Sequence, residues 1–126
     1  DAVRHADAVV VALPLAPETR GIISADVIGS MPSRAVFVNV GRGELVDQAA
    51  LTDALESGRL AGAGLDVFDP EPLPADDALW DLPNVIISPH TSGSSDGTTA
   101  RVAEIFLDNL ARFVRDEPLR NEVQRP

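Results

Sequence analysis

The chain has 126 residues, 44% of them hydrophobic, which is enough for one domain with a real core. Lys and Arg number 10 against 20 Asp and Glu, a formal net charge of -10 that argues against nucleic acid or an anionic membrane as partner, though not against one local basic pocket. With no cysteine, no signal peptide and no apolar run near the ~20 residues of a spanning helix, the composition suits a cytoplasmic protein without disulfides or thiolate metal sites. The chain opens without Met on Asp1-Ala2-Val3-Arg4-His5, which reads as the end of a helix already under way, so a piece of a longer polypeptide is expected.

In chain order, residues 8–13 form an apolar strand that Pro14 ends, and a loop with two prolines and Gly21 follows. Ser24 caps a short helix carrying Val27, Ile28 and Met31, which Pro32 closes. Residues 35–40, rich in Val and Phe, are a strand covered on both faces, as in a parallel sheet. Gly41 and Gly43 then flank Arg42, letting the backbone turn tightly and another molecule approach closely. Asp47 caps the next helix, whose buried residues are Leu51, Ala54 and Leu55 and whose end is Gly58. A third strand spans 61–68, with Gly62 and Gly64 marking a closely packed neighbour. Residues 69–83 are a long, acidic, proline-rich loop, the kind that is usually functional in compact domains. A fourth strand covers 85–88, and a last helix from Thr98 to Arg115 carries Val102, Ile105, Phe106, Leu110, Phe113 and Val114 on one stripe. Strands alternating with helices predict an α/β fold with a doubly wound parallel sheet.

The chemistry gathers after the strands. Arg42 follows the second, Asp66 and Glu71 the third, and His90 the fourth, so all lie on the sheet edge where open α/β folds bind ligands. Arg, carboxylate and His suit reduction of a 2-oxo acid: Arg anchors the carboxylate, His supplies the proton, and a carboxylate orients the imidazole. Each residue also has a plainer reading. Arg42 and Glu71 can be solvated loop charges and His90 a satisfied loop residue, whereas Asp66, closing a buried strand, needs a hydrogen-bond partner.

Four segments carry a resemblance: Leu13-Pro14-Leu15-Ala16-Pro17-Glu18-Thr19-Arg20-Gly21, Asn39-Val40-Gly41-Arg42-Gly43-Glu44-Leu45-Val46-Asp47, Gly64-Leu65-Asp66-Val67-Phe68-Asp69-Pro70-Glu71-Pro72 and Ser88-Pro89-His90-Thr91-Ser92-Gly93. In this order they resemble the C-terminal part of the D-isomer-specific 2-hydroxyacid dehydrogenases, nearly end to end. The resemblance implies a Rossmann-like sheet that is the C-terminal portion of a dinucleotide-binding domain over 1–95. Residues 96–126 would be a helix and tail packing back toward a substrate domain outside the chain. It implies NAD or NADP as cofactor, a small 2-oxo or 2-hydroxy acid as substrate, no metal, and a homodimer for the full-length protein. Arg42 would bind substrate, and His90, paired with Glu71, would be the general acid/base. Asp66 would hydrogen-bond the nicotinamide carboxamide with help from the Val40 carbonyl. Leu13 and Pro14 would line the cofactor groove, with Thr19, Ser92 and Gly93 nearby and Arg42 and His90 at its reacting end. Glu71 stands where the formate dehydrogenase branch has Gln. The run from Leu73-Pro74 to Leu79-Trp80 resembles glyoxylate/hydroxypyruvate reductases, with Trp80 as a packing residue.

The family's glycine-rich pyrophosphate turn has no equivalent in the chain. Gly62-Ala63-Gly64 begins like one, but Val67 occupies the third glycine position and the run lies inside a strand. Two other classes match parts of the sequence. Gly93-Ser94-Ser95-Asp96-Gly97 matches a hydrolase nucleophile elbow, but the strand does not run into the turn and both His5 and His90 precede Ser95. A non-enzymatic NAD-sensing corepressor of the same fold is the alternative to an enzyme.

Overall fold

The computed structural model describes residues 2–123, and the chain divides into two compact units, one ending at Ser92 and the other starting at Gly93. The first unit runs β1 (Ala8–Val11), α1 (Ala25–Ser30), β2 (Val36–Asn39), α2 (Gln48–Glu56), β3 (Gly62–Leu65) and β4 (Val85–Ile87). The strands form one sheet in the order β1-β2-β3-β4, every pair parallel, an open Rossmann-like α/β arrangement as expected. Asp1, within the expected opening helix, lies outside the described residues; Ala2–His5 is a 3-10 turn. No helix among the described residues is long and apolar enough to cross a membrane.

The register explains which side chains make the core. Val9, Phe37, Ala63 and Val85 lie in one row across the sheet, and Val11, Asn39, Leu65 and Ile87 in the next row on the same face. The apolar members of these rows share one core with Ile28 and Met31, from and just after α1, and with Leu51, Ala54 and Leu55 of α2. The other face carries Val10, Val36 and Ile86, which remain 63%, 40% and 76% exposed. The expectation that β2 is covered on both faces therefore fails within this chain. The reason is topological: strands that advance in one direction through right-handed crossovers keep their helices on one side.

The helices begin and end as their capping residues dictate. The Ser24 hydroxyl accepts from Val27 N (3.4 Å), and the Asp47 carboxylate accepts from Ala50 N (3.0 Å), each satisfying a free amide of a first turn. Gly58, at φ +70°, provides the left-handed residue that closes α2. The strands are shorter than the apolar pattern predicts: β1 stops at Val11, and β3 ends before Asp66, because the chain turns away there toward the sheet edge. In the loop 69–83, Ala78–Asp81 forms a 3-10 turn whose Leu79 amide is capped by Asp77 (2.9 Å).

The second unit holds α3 (Thr98–Val114) and the segment after it. That segment folds back on its own helix. Asn109 accepts from Arg120 N (2.8 Å) and donates to Arg120 O (3.1 Å), while Arg112 and Arg120 both reach Asp108. The helix buries none of its residues: of the predicted stripe, Val102, Phe106, Leu110, Phe113 and Val114 are exposed and Ile105 is half-buried.

What crowds the two glycines around Arg42 is the chain itself. A Cβ on Gly41 would stand 2.9 Å from Leu13 O, and one on Gly43 would overlap the Phe68 carbonyl. Gly43→Ala should therefore cost more than about 2 kcal/mol, as overpacking against rigid backbone does. Gly29→Ala, in the open on α1, should gain up to ~1 kcal/mol. Denaturant unfolding of both variants checks the contrast.

Candidate active site

The strand ends of a parallel sheet share one edge, and the ladder carries slightly past each strand here. Val40 N bonds Val11 O (3.0 Å), Asp66 N bonds Asn39 O (3.0 Å) and Ser88 N bonds Leu65 O (2.9 Å). The residues just beyond those bonds are the candidates singled out from sequence.

Asp66 is the most constrained of them. It is 2% exposed, and its two oxygens accept from the Ser88 hydroxyl (2.5 Å), Thr91 N (2.9 Å) and Ser92 N (2.9 Å). Burial by itself pushes a carboxyl pKa up. The hydrogen bonds from Ser88, Ser92 and Thr91 outweigh it and hold Asp66 below the ordinary carboxylate range. The ionised side chain thus gathers the residues on either side of His90.

His90 itself takes the left-handed conformation, φ +54°, which non-glycine residues adopt rarely and at a cost. Its Nδ1 stands 2.6 Å from Glu71 Oε1, and Glu71 Oε2 accepts from Phe68 N (3.4 Å). With Nδ1 bonded to a carboxylate, Nε2 is the nitrogen left to face a ligand. Both side chains are partly exposed, at 43% and 37%.

Around Arg42 the turn is held from within. Buried Asn39 accepts from Gly41 N (3.0 Å) and donates to Arg42 O (3.0 Å), a short polar side chain bridging its own backbone. Arg42 is exposed, and its guanidinium donates to Gly41 O (2.6 Å). Beside it, Leu13 and Pro14 are exposed where β1 gives out. Thr19 spends its hydroxyl inside the same loop: it accepts from Ala16 N (2.8 Å) and donates to Pro14 O (2.8 Å). Val40 is 36% exposed.

The structure therefore joins Glu71 to His90, and Asp66 to Ser92. Arg42 meets neither pair by hydrogen bond among the described residues, and Gly93 opens the second unit. No group of three or more His, Asp or Glu among the described residues is disposed to hold a metal ion. Sequence reasoning gave no role to Asn39 or Ser88, although a buried Asn at a strand end before a glycine is a turn signal in itself. Trp80, expected as a packing residue, is 51% exposed.

Because Asp66 is ionised in the fold well below its unfolded range, its contribution is present above pH ~4 and is lost as pH falls toward the lower folded value. Asp66→Asn should cost about 1–3 kcal/mol at pH 7, since the NH2 that replaces one oxygen cannot accept the bond or bonds made to it, whether from Ser92 N or from Ser88 and Thr91 N. The gap between wild type and variant should narrow below pH ~4. Thermal unfolding across that range is the measurement.

Residues 1–92 match the family model of the D-isomer specific 2-hydroxyacid dehydrogenase, NAD binding domain. The chain is 44% identical over 113 residues to a glyoxylate reductase of Korarchaeum cryptofilum, covering 90% of this chain and 34% of that protein. It is 40% identical over 120 residues to the human glyoxylate reductase/hydroxypyruvate reductase, covering 95% of this chain and 37% of that one. Among solved structures, it resembles a D-isomer specific 2-hydroxyacid dehydrogenase from Xanthobacter autotrophicus Py2 in complex with NADPH and MES. That match has a TM-score of 0.88 at 43% identity and covers 97% of this chain and 50% of that one. It also resembles an NADPH-dependent glyoxylate/hydroxypyruvate reductase from Sinorhizobium meliloti in complex with NADP and sulfate, with a TM-score of 0.86 at 38% identity, covering 97% and 40%. The chain spans little more than a third of the length of the curated relatives it matches. With a parallel Rossmann-like sheet and four motifs along its carboxyl edge, the chain belongs to the D-isomer specific 2-hydroxyacid dehydrogenase family.

Proposed function

We propose that the chain carries the reacting end of an NAD(P)-dependent D-2-hydroxyacid dehydrogenase, which interconverts a small 2-oxo acid and its 2-hydroxy acid. The observation that carries this reading is the 2.6 Å bond between His90 Nδ1 and Glu71 Oε1 at the ligand-binding edge of the sheet. The names of the relatives support a substrate of glyoxylate or hydroxypyruvate size. They lend nothing to the non-enzymatic sensor. A cytoplasmic homodimer, in which residues 96–126 pack back toward a substrate domain, completes the proposal for the whole polypeptide.

The residues present fit one end of the cofactor. Leu13 and Val40, 44% and 36% exposed at neighbouring strand ends, form an apolar ledge suited to a nicotinamide ring. Asp66, the ionised carboxylate one residue past β3, would accept from the carboxamide NH2 of the cofactor. When bound, the nicotinamide supplies or accepts the hydride. Pro14, Thr19, Ser92 and Gly93 would border the same groove.

Arg42 would exchange the Gly41 carbonyl for the substrate carboxylate, gripping it at two points. His90 Nε2 would give a proton to the carbonyl oxygen in reduction and take it from the hydroxyl in oxidation. Glu71 would hold the ring so that Nε2 faces the substrate. Assay of the complete polypeptide with NADH and NADPH on glyoxylate and hydroxypyruvate tests the reading. Reduction of either is expected. Cofactor binding without turnover of any 2-oxo acid would favour the sensor.

Arg42→Lys keeps charge but loses the planar fork, so kcat/KM should fall by about 100-fold or more. Kinetics near wild type would return Arg42 to a solvated loop charge. Glu71→Gln should lower rates of reduction and oxidation alike, by about tenfold or more, because one imidazole serves both directions. A change in neither direction would remove Glu71 from the mechanism.

A further inference from the structure

In the core-facing row of Val11, Asn39, Leu65 and Ile87, Asn39 is the one polar residue, and it is 2% exposed. A buried amide is destabilising unless its donors and its acceptor find partners. Those of Asn39 are engaged on the turn that follows. Its Oδ1 accepts from Gly41 N (3.0 Å) and its Nδ2 donates to Arg42 O (3.0 Å), so the two bonds bracket Gly41 and Arg42. Arg42 O accepts a second bond, from Leu45 N (3.3 Å). The peptide that enters Gly41 and the peptide that leaves Arg42 are therefore both held.

The main chain of Asn39 serves a different neighbour. Its carbonyl accepts from Asp66 N (3.0 Å), a bond that does not depend on the side chain. Main chain and side chain thus act separately, the first on Asp66 and the second on Arg42. A guanidinium is a directional ligand, whose planar fork meets a carboxylate at two points only when it is presented at the right angle. Arg42 is exposed and its guanidinium donates to Gly41 O, so the backbone held by Asn39 sets where the fork starts from.

We propose that Asn39 is a positioning residue for the substrate: its buried amide fixes the Gly41–Arg42 backbone from which the guanidinium reaches a carboxylate. The inference rests on Arg42 being the residue that grips the substrate.

The test uses the complete polypeptide with the faster of glyoxylate and hydroxypyruvate, and compares Asn39→Asp in the wild-type and Arg42→Lys backgrounds. Asp keeps the length and an acceptor for Gly41 N but puts an oxygen where the donor to Arg42 O stood. In the wild-type background kcat/KM should fall about tenfold or more, the scale of one buried hydrogen bond lost with its partner left unsatisfied. The Kd for NADH and NADPH should move less than about threefold, because the Asn39 carbonyl still holds Asp66. In the Arg42→Lys background the same substitution should lower kcat/KM less than about threefold, since effects that pass through one residue do not add. Equal losses in both backgrounds, a loss of cofactor affinity as large as that in kcat/KM, or an unchanged kcat/KM would each overturn the proposal. If Asn39→Asp does not fold, Asn39→Ser, whose single hydroxyl cannot make both bonds, is read by the same criteria. Arg42→Lys kinetics near wild type, or reduction of neither 2-oxo acid, removes the reading on which the proposal rests.

Discussion

A carboxylate cannot stay charged out of water unless its oxygens are filled, and Asp66 meets that condition with donors from a distant part of the chain. Ser88, Thr91 and Ser92 surround His90, so the three bonds that keep Asp66 ionised also define the path on which His90 sits. Two strands that are neighbours in the sheet thereby share one polar lock at their ends. The unusual backbone of His90 is held by this lock, since a left-handed histidine persists only where its surroundings over-determine it. The His90 ring is positioned by burial and hydrogen bonding one step removed from itself.

The same economy governs the turn around Arg42. Asn39 closes the turn from below, Gly41 admits the Leu13 backbone and Gly43 admits the Phe68 carbonyl. Three loops from three strands thus interlock through backbone atoms, for which glycine is the only residue small enough. The loop after β1 is pinned further by the backbone bonds Gly21 N to Glu44 O and Ile23 N to Leu45 O. Arg42 itself stays exposed above this rigid base. A fixed backbone with an exposed cation at its tip suits capture of a carboxylate, because little ordering beyond one side chain is required.

Glu71 and His90 are partly exposed in this chain, which spans little more than a third of the length of the curated relatives it matches. One face of the sheet is likewise open, with Val10 and Ile86 largely exposed. Apolar residues on both faces of a parallel strand imply covering layers on both.

Local chemistry was legible in the sequence. Ser24, Asp47 and Gly58 act as the caps their residue types predict, and the strand–helix alternation yields the parallel sheet, because capping and periodicity depend on nearest neighbours. The four motifs identified the family and pointed to Glu71, His90, Arg42 and Asp66. What remained hidden depends on distant partners. Nothing in the run Gly64-Leu65-Asp66 says that Ser88, Thr91 and Ser92 fill its carboxylate. Nor does the spacing around Arg42 say that its glycines yield to Leu13 and Phe68 rather than to a ligand. Trp80, expected as a packing residue, stands half exposed, because the path of the loop 69–83 decides where its ring is carried. Periodicity fixes which faces are apolar, but only the winding direction of the sheet decides which of those faces this chain covers.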